Sequence, residues 1–208
     1  MTDKEMYDKA VTFGILQAEE EILWAIDRAR NYFGKPINVV CELGSYQGGS
    51  LAMWSLLLDD NDYLLLSIDP ETHGNRVLVE YIKEHTGKDA LHIKGRSEDL
   101  CTVANLESIL DGRKIDLLFI DSIHTAAQSE REIYLYQPFV NSPGIIGFHD
   151  IYPFNFGNQT EWDGYYGDFQ VSTGMYWNIM KYNYSYEEKK IRRADMPKNA
   201  YGIGLLFL

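Results

Sequence analysis

The sequence predicts a three-layer α/β domain: a mostly parallel sheet of seven strands, covered by helices on both faces and closed by a C-terminal antiparallel hairpin. Three observations predict it. Short apolar runs alternate with helix-period stretches from residue 37 to residue 148, a glycine-rich turn follows the first apolar run, and the chain ends in two alternating runs. There is no internal repeat, low-complexity tract or separating linker, so the 208 residues read as one domain, 1–208, led by a helical segment at 1–34.

Ile15, Ala18, Ile22, Ile26, Ala29 and Phe33 recur at steps of three and four, which predicts an amphipathic helix that Gly34-Lys35-Pro36 stops. Strands follow at Ile37 to Leu43, Tyr63 to Ile68, Ala90 to Ile93, Ile115 to Ile120 and Gly144 to Phe148. The intervening helices run from Gly49 to Leu58, Arg76 to His85, Glu98 to Leu110 and Ala126 to Pro138. Ser97 offers a cap to the third of these, and Thr125 with Gln128 makes a capping box for the fourth. A helix from about Thr173 to Tyr182 leads into the closing pair, Tyr182-Tyr184-Tyr186 and Tyr201-Ile203-Leu205-Phe207, with turn-prone Asp195 to Asn199 between them. Right-handed crossovers make this arrangement doubly wound.

Acids outnumber bases 31 to 19, a net charge of -12, so the chain lacks the basic surface that grips phosphate backbones or anionic lipid. Its apolar runs are far shorter than the roughly 20 residues that cross a bilayer. Nucleic acid and membrane are thereby excluded as expected partners. The mixed charges of Met1 to Lys9 lead into no apolar stretch, and Cys41 and Cys101 suit neither a disulfide framework nor zinc, so a cytoplasmic protein with two reduced, partly buried thiols is expected.

The run Val39-Val40-Cys41-Glu42-Leu43-Gly44-Ser45-Tyr46-Gln47-Gly48-Gly49-Ser50 takes an apolar strand into a glycine turn that opens a helix. Such a turn aims unpaired backbone N–H groups at a ligand. Ser45-Tyr46 interrupts the dinucleotide fingerprint, which speaks against pyrophosphate. At the end of the next strand Asp69 is placed to accept from both hydroxyls of a ribose. The pattern resembles class I S-adenosylmethionine-dependent methyltransferases, whose first motif is matched by Glu42, Gly44 and Gly48. The resemblance implies a Rossmann-like fold, a cofactor site at Glu42, Gly44, Ser45, Tyr46, Gly48, Ser50, Asp69 and Asp121, and Ser97 beside the adenine.

Two further strands end in Asp121-Ser122-Ile123-His124 and Phe148-His149-Asp150. Side chains at the C-terminal ends of neighbouring strands share one crevice, so Asp121, His124, His149 and Asp150 should surround one site. The combination resembles the cephalosporin hydroxylase-like and macrocin-type sugar O-methyltransferases. That resemblance implies Mg²⁺ or another divalent cation at Asp121, His149 and Asp150, although imidazole at His149 suits softer ions. Ile123 stands where a second acid is common in that group, leaving His124 as proton acceptor beside Asp121, or else as a loop-fixing partner of Asp121.

The expected function is methyl transfer to the hydroxyl of a small-molecule acceptor, a sugar, phenol or macrocycle. The aromatic segment 151–172 is the candidate acceptor lid, with a packed loop or a contact between copies of the chain as the other reading. A non-catalytic ligand-binding module of the same fold and a nicotinamide-dependent oxidoreductase are the rivals.

Overall fold

A computed structural model describes residues 1–12, 14–70, 75–151, 172–191 and 202–208, and the side chains of 75–78 lie outside the description. In chain order the elements are α1 (Asp3–Thr12), α2 (Glu19–Phe33), β1 (Val39–Leu43), α3 (Gly49–Trp54), β2 (Leu64–Asp69), α4 (Asn75–Thr86), β3 (Ala90–Lys94), α5 (Leu100–Leu110), β4 (Ile115–Ile120), α6 (Ala126–Tyr136), β5 (Val140–Phe148), α7 (Thr173–Met180), β6 (Ser185–Lys189) and β7 (Ile203–Phe207). The strands form one sheet in the order β3-β2-β1-β4-β5-β7-β6. Its first five strands are parallel, and β7 runs antiparallel to both β5 and β6, which is the Rossmann-like arrangement and closing hairpin the sequence predicts.

The central strands read as continuous apolar runs because both of their faces are covered. All five residues of β1 are buried. On one face Val40, Leu65, Leu117 and Ile145 pack with Ile22, Ile26, Trp54 and Ile82 from the α1 to α4 side. On the other, Cys41, Ile68, Leu118 and Phe148 pack with Leu106, Ile133, Tyr136 and Trp177 from α5 to α7. Asp116 pins the N-terminal edge of the sheet: one carboxylate oxygen accepts from the Asn38 and Val39 amides at 2.8 and 2.9 Å, and the other accepts from Asn141 Nδ2 at 2.6 Å.

Several boundaries differ from expectation by a residue or two, and four of the differences are instructive. The helix expected from Ile15 starts at Glu19, because the backbone of Ile15 lies directly on α3: a Cβ at Gly49 would stand 2.5 Å from the Ile15 nitrogen. At its far end α2 stops as predicted, with Gly34 left-handed and its N–H donating to Arg30 O at 2.8 Å. Strand β5 begins at Val140 rather than Gly144, pairing Val140 with Ile115 before the register shifts. The cap of α5 is Asp99, not Ser97, whose hydroxyl donates instead to Glu132. Helix α3 ends at Trp54 and tightens into a 3₁₀ turn at Ser55–Leu57. Cys101 is exposed, whereas Cys41 is fully buried in β1; both are free thiols. The aromatic segment from 152 to 171, the turn at 195–199 and Tyr201 lie outside the described residues. Among the described helices, none is long and apolar enough to cross a membrane.

Candidate active site

Strand order reverses between β1 and β4, since β2 and β3 lie to one side of β1 and β4 to the other, and in a doubly wound sheet ligands bind at the C-terminal ends of the strands beside such a reversal. The turn after β1 lies at this reversal. Gly44, Tyr46 and Gly48 all adopt positive φ, 83°, 46° and 86°, but their N–H groups are not unpaired as the sequence suggested: Gly44 donates to Ile68 O at 2.8 Å, Gly48 to Ser45 O at 2.7 Å and Tyr46 to Asp69. Gly44 is required by closeness as well as by φ: a Cβ there would stand 2.2 Å from the carbonyl oxygen of Asp121, so the turn rests directly on the end of β4. The Tyr46 amide donates to Asp69 Oδ2 at 3.0 Å, which ties the turn to the end of β2.

Side chains around the turn have assigned partners. The Ser45 hydroxyl is turned inward onto Ser67 Oγ, which also lies 3.0 Å from His92 Nδ1. Ser50 Oγ donates to Glu42 Oε1 at 2.5 Å, while Glu42 Oε2 is buried and finds no hydrogen-bond partner among the described residues. Burial pushes the Glu42 carboxyl well above its ordinary pKa; the Ser50 bond opposes this, and the nearby Asp121 and Asp69 charges add to it. Ser97 is buried at the end of β3 with Glu132, and Gln128 Nε2 donates to both, at 3.0 and 3.1 Å. That use of Gln128 leaves only half of the expected capping box, the Gln128 amide donating to Thr125 Oγ1 at 3.2 Å.

Beyond β4 and β5 the four predicted residues do converge. His124 lies between two acids, its Nε2 3.1 Å from Asp121 Oδ1 and its Nδ1 3.1 Å from Asp150 Oδ2. His149 Nδ1 lies 3.1 Å from the same Asp121 oxygen and 3.5 Å from Asp150 Oδ1. Both His124 and Asp150 hold left-handed backbones, φ 57° and 55°, as strand ends turned sharply into a site. The Ser172 amide donates to the carbonyl of His124 at 2.7 Å, so the start of α7 braces this turn.

Two contributors come from the N-terminal segment and were not anticipated. Gln17 Nε2 donates to Asp121 Oδ2 at 2.5 Å, and Glu21 Oε1 lies 3.2 Å from His149 Nε2 while accepting from the Ala18 amide at 2.9 Å. A signal for Glu21 exists in the sequence: it is the one acid of Glu19-Glu20-Glu21 that shares the apolar stripe with Ala25 and Ala29.

The charges are mutually dependent. Burial disfavours the imidazolium of His149, but the Asp121 and Asp150 charges, with hydrogen bonds to Asp121 and Glu21, hold its pKa well above the usual value. His124 is raised in the same way, Asp150 and Asp121 overcoming its burial. Asp121 is held well below the carboxylate range, since His149 and His124 outweigh its desolvation. Asp150 goes the other way, burial pushing its carboxyl up against the pull of the same two rings.

Asp121, His124 and Asp150 each present a ligand atom within 4.8 Å of the others, a grouping that contains His124 where the sequence pointed to His149. A separate groove at Phe33, Pro36, Ile37 and Leu58 lies by the opposite, N-terminal ends of the strands, away from this chemistry.

Residues 41–151 match the family described as a methyltransferase domain. Over 140 residues the chain is 29% identical to an uncharacterized protein of Acanthamoeba polyphaga mimivirus, a match that covers 64% of this chain and 61% of that relative's length. Among solved structures it is similar to the O-methyltransferase from Bacillus cereus in complex with SAH, with a TM-score of 0.63 and 10% identity over 99% of this chain and 90% of that one. The O-methyltransferase TomG from Streptomyces achromogenes, in complex with SAM, gives a TM-score of 0.56 and 14% identity over 100% and 99%. These two likenesses concern the fold.

Proposed function

The chain belongs to the methyltransferase domain family, and from that premise we propose that it transfers a methyl group from S-adenosylmethionine to a hydroxyl of a small-molecule acceptor. One observation carries the reading. The turn after β1 touches both the end of β2, through Tyr46 and Asp69, and the end of β4, through Gly44 and Asp121, which supports a single site shared by the cofactor residues and the His–Asp cluster.

The site suits the cofactor by charge. S-adenosylmethionine carries a sulfonium and an ammonium, and Asp69 and Asp121 supply acid at the ends of β2 and β4; Glu42, on the strand between them, is fully buried with its carboxyl pushed up by burial. Asp69 would accept from the ribose hydroxyls, the Gly44 to Gly48 turn would hold the amino acid end, and Ser97 would lie near the adenine. When bound, the cofactor supplies an electrophilic methyl.

The remaining chemistry belongs to the chain. Asp121 holds the His124 ring at Nε2 and stabilises the imidazolium that would form when Nδ1, parted from Asp150 Oδ2 as the acceptor enters, takes the acceptor's proton. Orientation of the acceptor oxygen in line with the methyl supplies most of the remaining acceleration. Because the pKa of His124 is raised, its basic form gains population as pH increases.

A divalent cation fits this donor set poorly. Every carboxylate oxygen of Asp121 and Asp150 already faces a nitrogen of His124, His149 or Gln17.

Under this reading the partners are the cofactor and a small acceptor, with neither nucleic acid nor membrane involved, and the free thiols Cys41 and Cys101 suit the reducing cytoplasm. Calorimetry with S-adenosylmethionine tests the assignment. Binding in the micromolar range, about -8 kcal/mol, is expected, followed by formation of S-adenosylhomocysteine when acceptors are screened. A flat isotherm for the folded protein would refute it.

A further inference from the structure

We propose that the centre at the ends of β4 and β5 works without a divalent cation, because the His149 ring occupies the bridging position between Asp121 and Asp150 that a cation would take. The inference rests on this centre being the methyl-transfer site but is tested separately from it. Four carboxylate oxygens face the middle of the cluster. Asp121 Oδ1 has His149 Nδ1 and His124 Nε2 at 3.1 Å each, Asp121 Oδ2 has Gln17 Nε2 at 2.5 Å, Asp150 Oδ1 has His149 Nδ1 at 3.5 Å, and Asp150 Oδ2 has His124 Nδ1 at 3.1 Å.

A cation would have to displace these donors, and His149 has little room to leave. Only 4% of its side chain is accessible, and its other ring nitrogen is held at 3.2 Å by Glu21, an acid with no accessible side-chain surface. An oxygen faces each ring nitrogen, so neither nitrogen is turned toward a position that a metal could enter without breaking one of these contacts. Gln17 and Glu21 therefore act as positioning residues, closing the site from the N-terminal segment.

The experiment is Mn²⁺ binding to the full chain, read by electron paramagnetic resonance and by thermal shift, alongside S-adenosylmethionine calorimetry on the same samples. The wild type is expected to bind Mn²⁺ no tighter than about 1 mM. His149→Asp, which replaces the bridging donor with a third carboxylate, is expected to bind at least about tenfold tighter. Glu21→Gln, which keeps the shape around the ring, serves as a second variant if His149→Asp does not fold, and is expected to tighten Mn²⁺ binding less than tenfold but measurably. Micromolar Mn²⁺ binding by the wild type would overturn the proposal, as would variants that bind Mn²⁺ no better than the wild type. Loss of cofactor binding with unchanged Mn²⁺ behaviour would count against the methyltransferase reading alone.

Discussion

Glu21 and His149 meet across 128 positions of sequence, a carboxylate oxygen of the first helix turn of α2 lying 3.2 Å from the ring of a residue at the end of β5. The contact is fully buried, so removing one side leaves the other unmatched. Glu21→Ala should cost about 3 kcal/mol of stability, read as a lowered urea midpoint, whereas Glu21→Gln should cost clearly less because the Ala18 amide and the ring keep an acceptor oxygen. Equal midpoints for Glu21→Ala and the wild type would show that the two residues are not coupled.

Stability should fall as pH rises from mildly acidic to alkaline. The pKa of His149 is raised in the folded state, so its contribution is complete below the unfolded imidazole value of about 6.5 and is lost as pH climbs through the folded value. His124 and Glu42, also raised, work in the same direction. Asp121, held low, contributes above its unfolded value of about 3.9 and loses that contribution only as pH falls toward its folded value. Urea midpoints should therefore be higher near about pH 6 than near about pH 8.5, and His149→Asn should narrow the difference.

Asp69→Ala should weaken S-adenosylmethionine binding by about tenfold to a hundredfold, the loss of a charge-assisted hydrogen-bond acceptor. The same carboxylate holds the Tyr46 amide at 3.0 Å, so Asp69→Asn is the informative companion: it retains an oxygen for the amide and should bind more tightly than Asp69→Ala. Calorimetry that ranks the two variants the other way would remove Asp69 from the cofactor site.

Gly44→Ala should destabilise the fold by at least about 2 kcal/mol, combining a positive φ with a clash of the added methyl against backbone that has no rotamer to yield. Thermal melts would show this before any ligand is added. A melting temperature equal to that of the wild type would mean that the end of β4 gives way more easily than its packing indicates.

The rate of methyl transfer should rise with pH across the region where His124 loses its proton. His124→Asn should lower kcat by about 10²- to 10⁴-fold and flatten that rise, while leaving the cofactor Kd within a few-fold. A pH profile that survives in His124→Asn would assign the proton to another group.

Much of the fold was legible because parallel strands covered on both faces cannot alternate, and so announce themselves as unbroken apolar runs; Ile115–Ile120 appears in the structure with the bounds read from the sequence. Convergence of Asp121, His124, His149 and Asp150 was legible for a related reason, since consecutive parallel strands must deliver their C-terminal residues to the same edge. The entry of β5 was hidden by Asn141-Ser142-Pro143, which reads as a turn until Asn141 is seen to serve Asp116 across the sheet. Ser97 reads as a helix cap because its true partner, Glu132, is 35 positions away. Glu21 carries only the faint signal of its place on the apolar stripe, since acids in a first helical turn otherwise read as serving the helix dipole, and Gln17, ahead of the helix, carries none.

The reversed strand β7 sits between β5 and β6, pairing Phe148 with Gly204 and Ile145 with Phe207. During synthesis β5 can therefore pair with β4 but keeps a bare, apolar edge until residues 203–207 have left the ribosome. At about 5 to 20 residues per second, the nascent chain spends several seconds in that condition. Over that interval the free edge of β5, which ends just before His149, is open to mispairing with another chain, and a chaperone that shields extended apolar segments would have a target there.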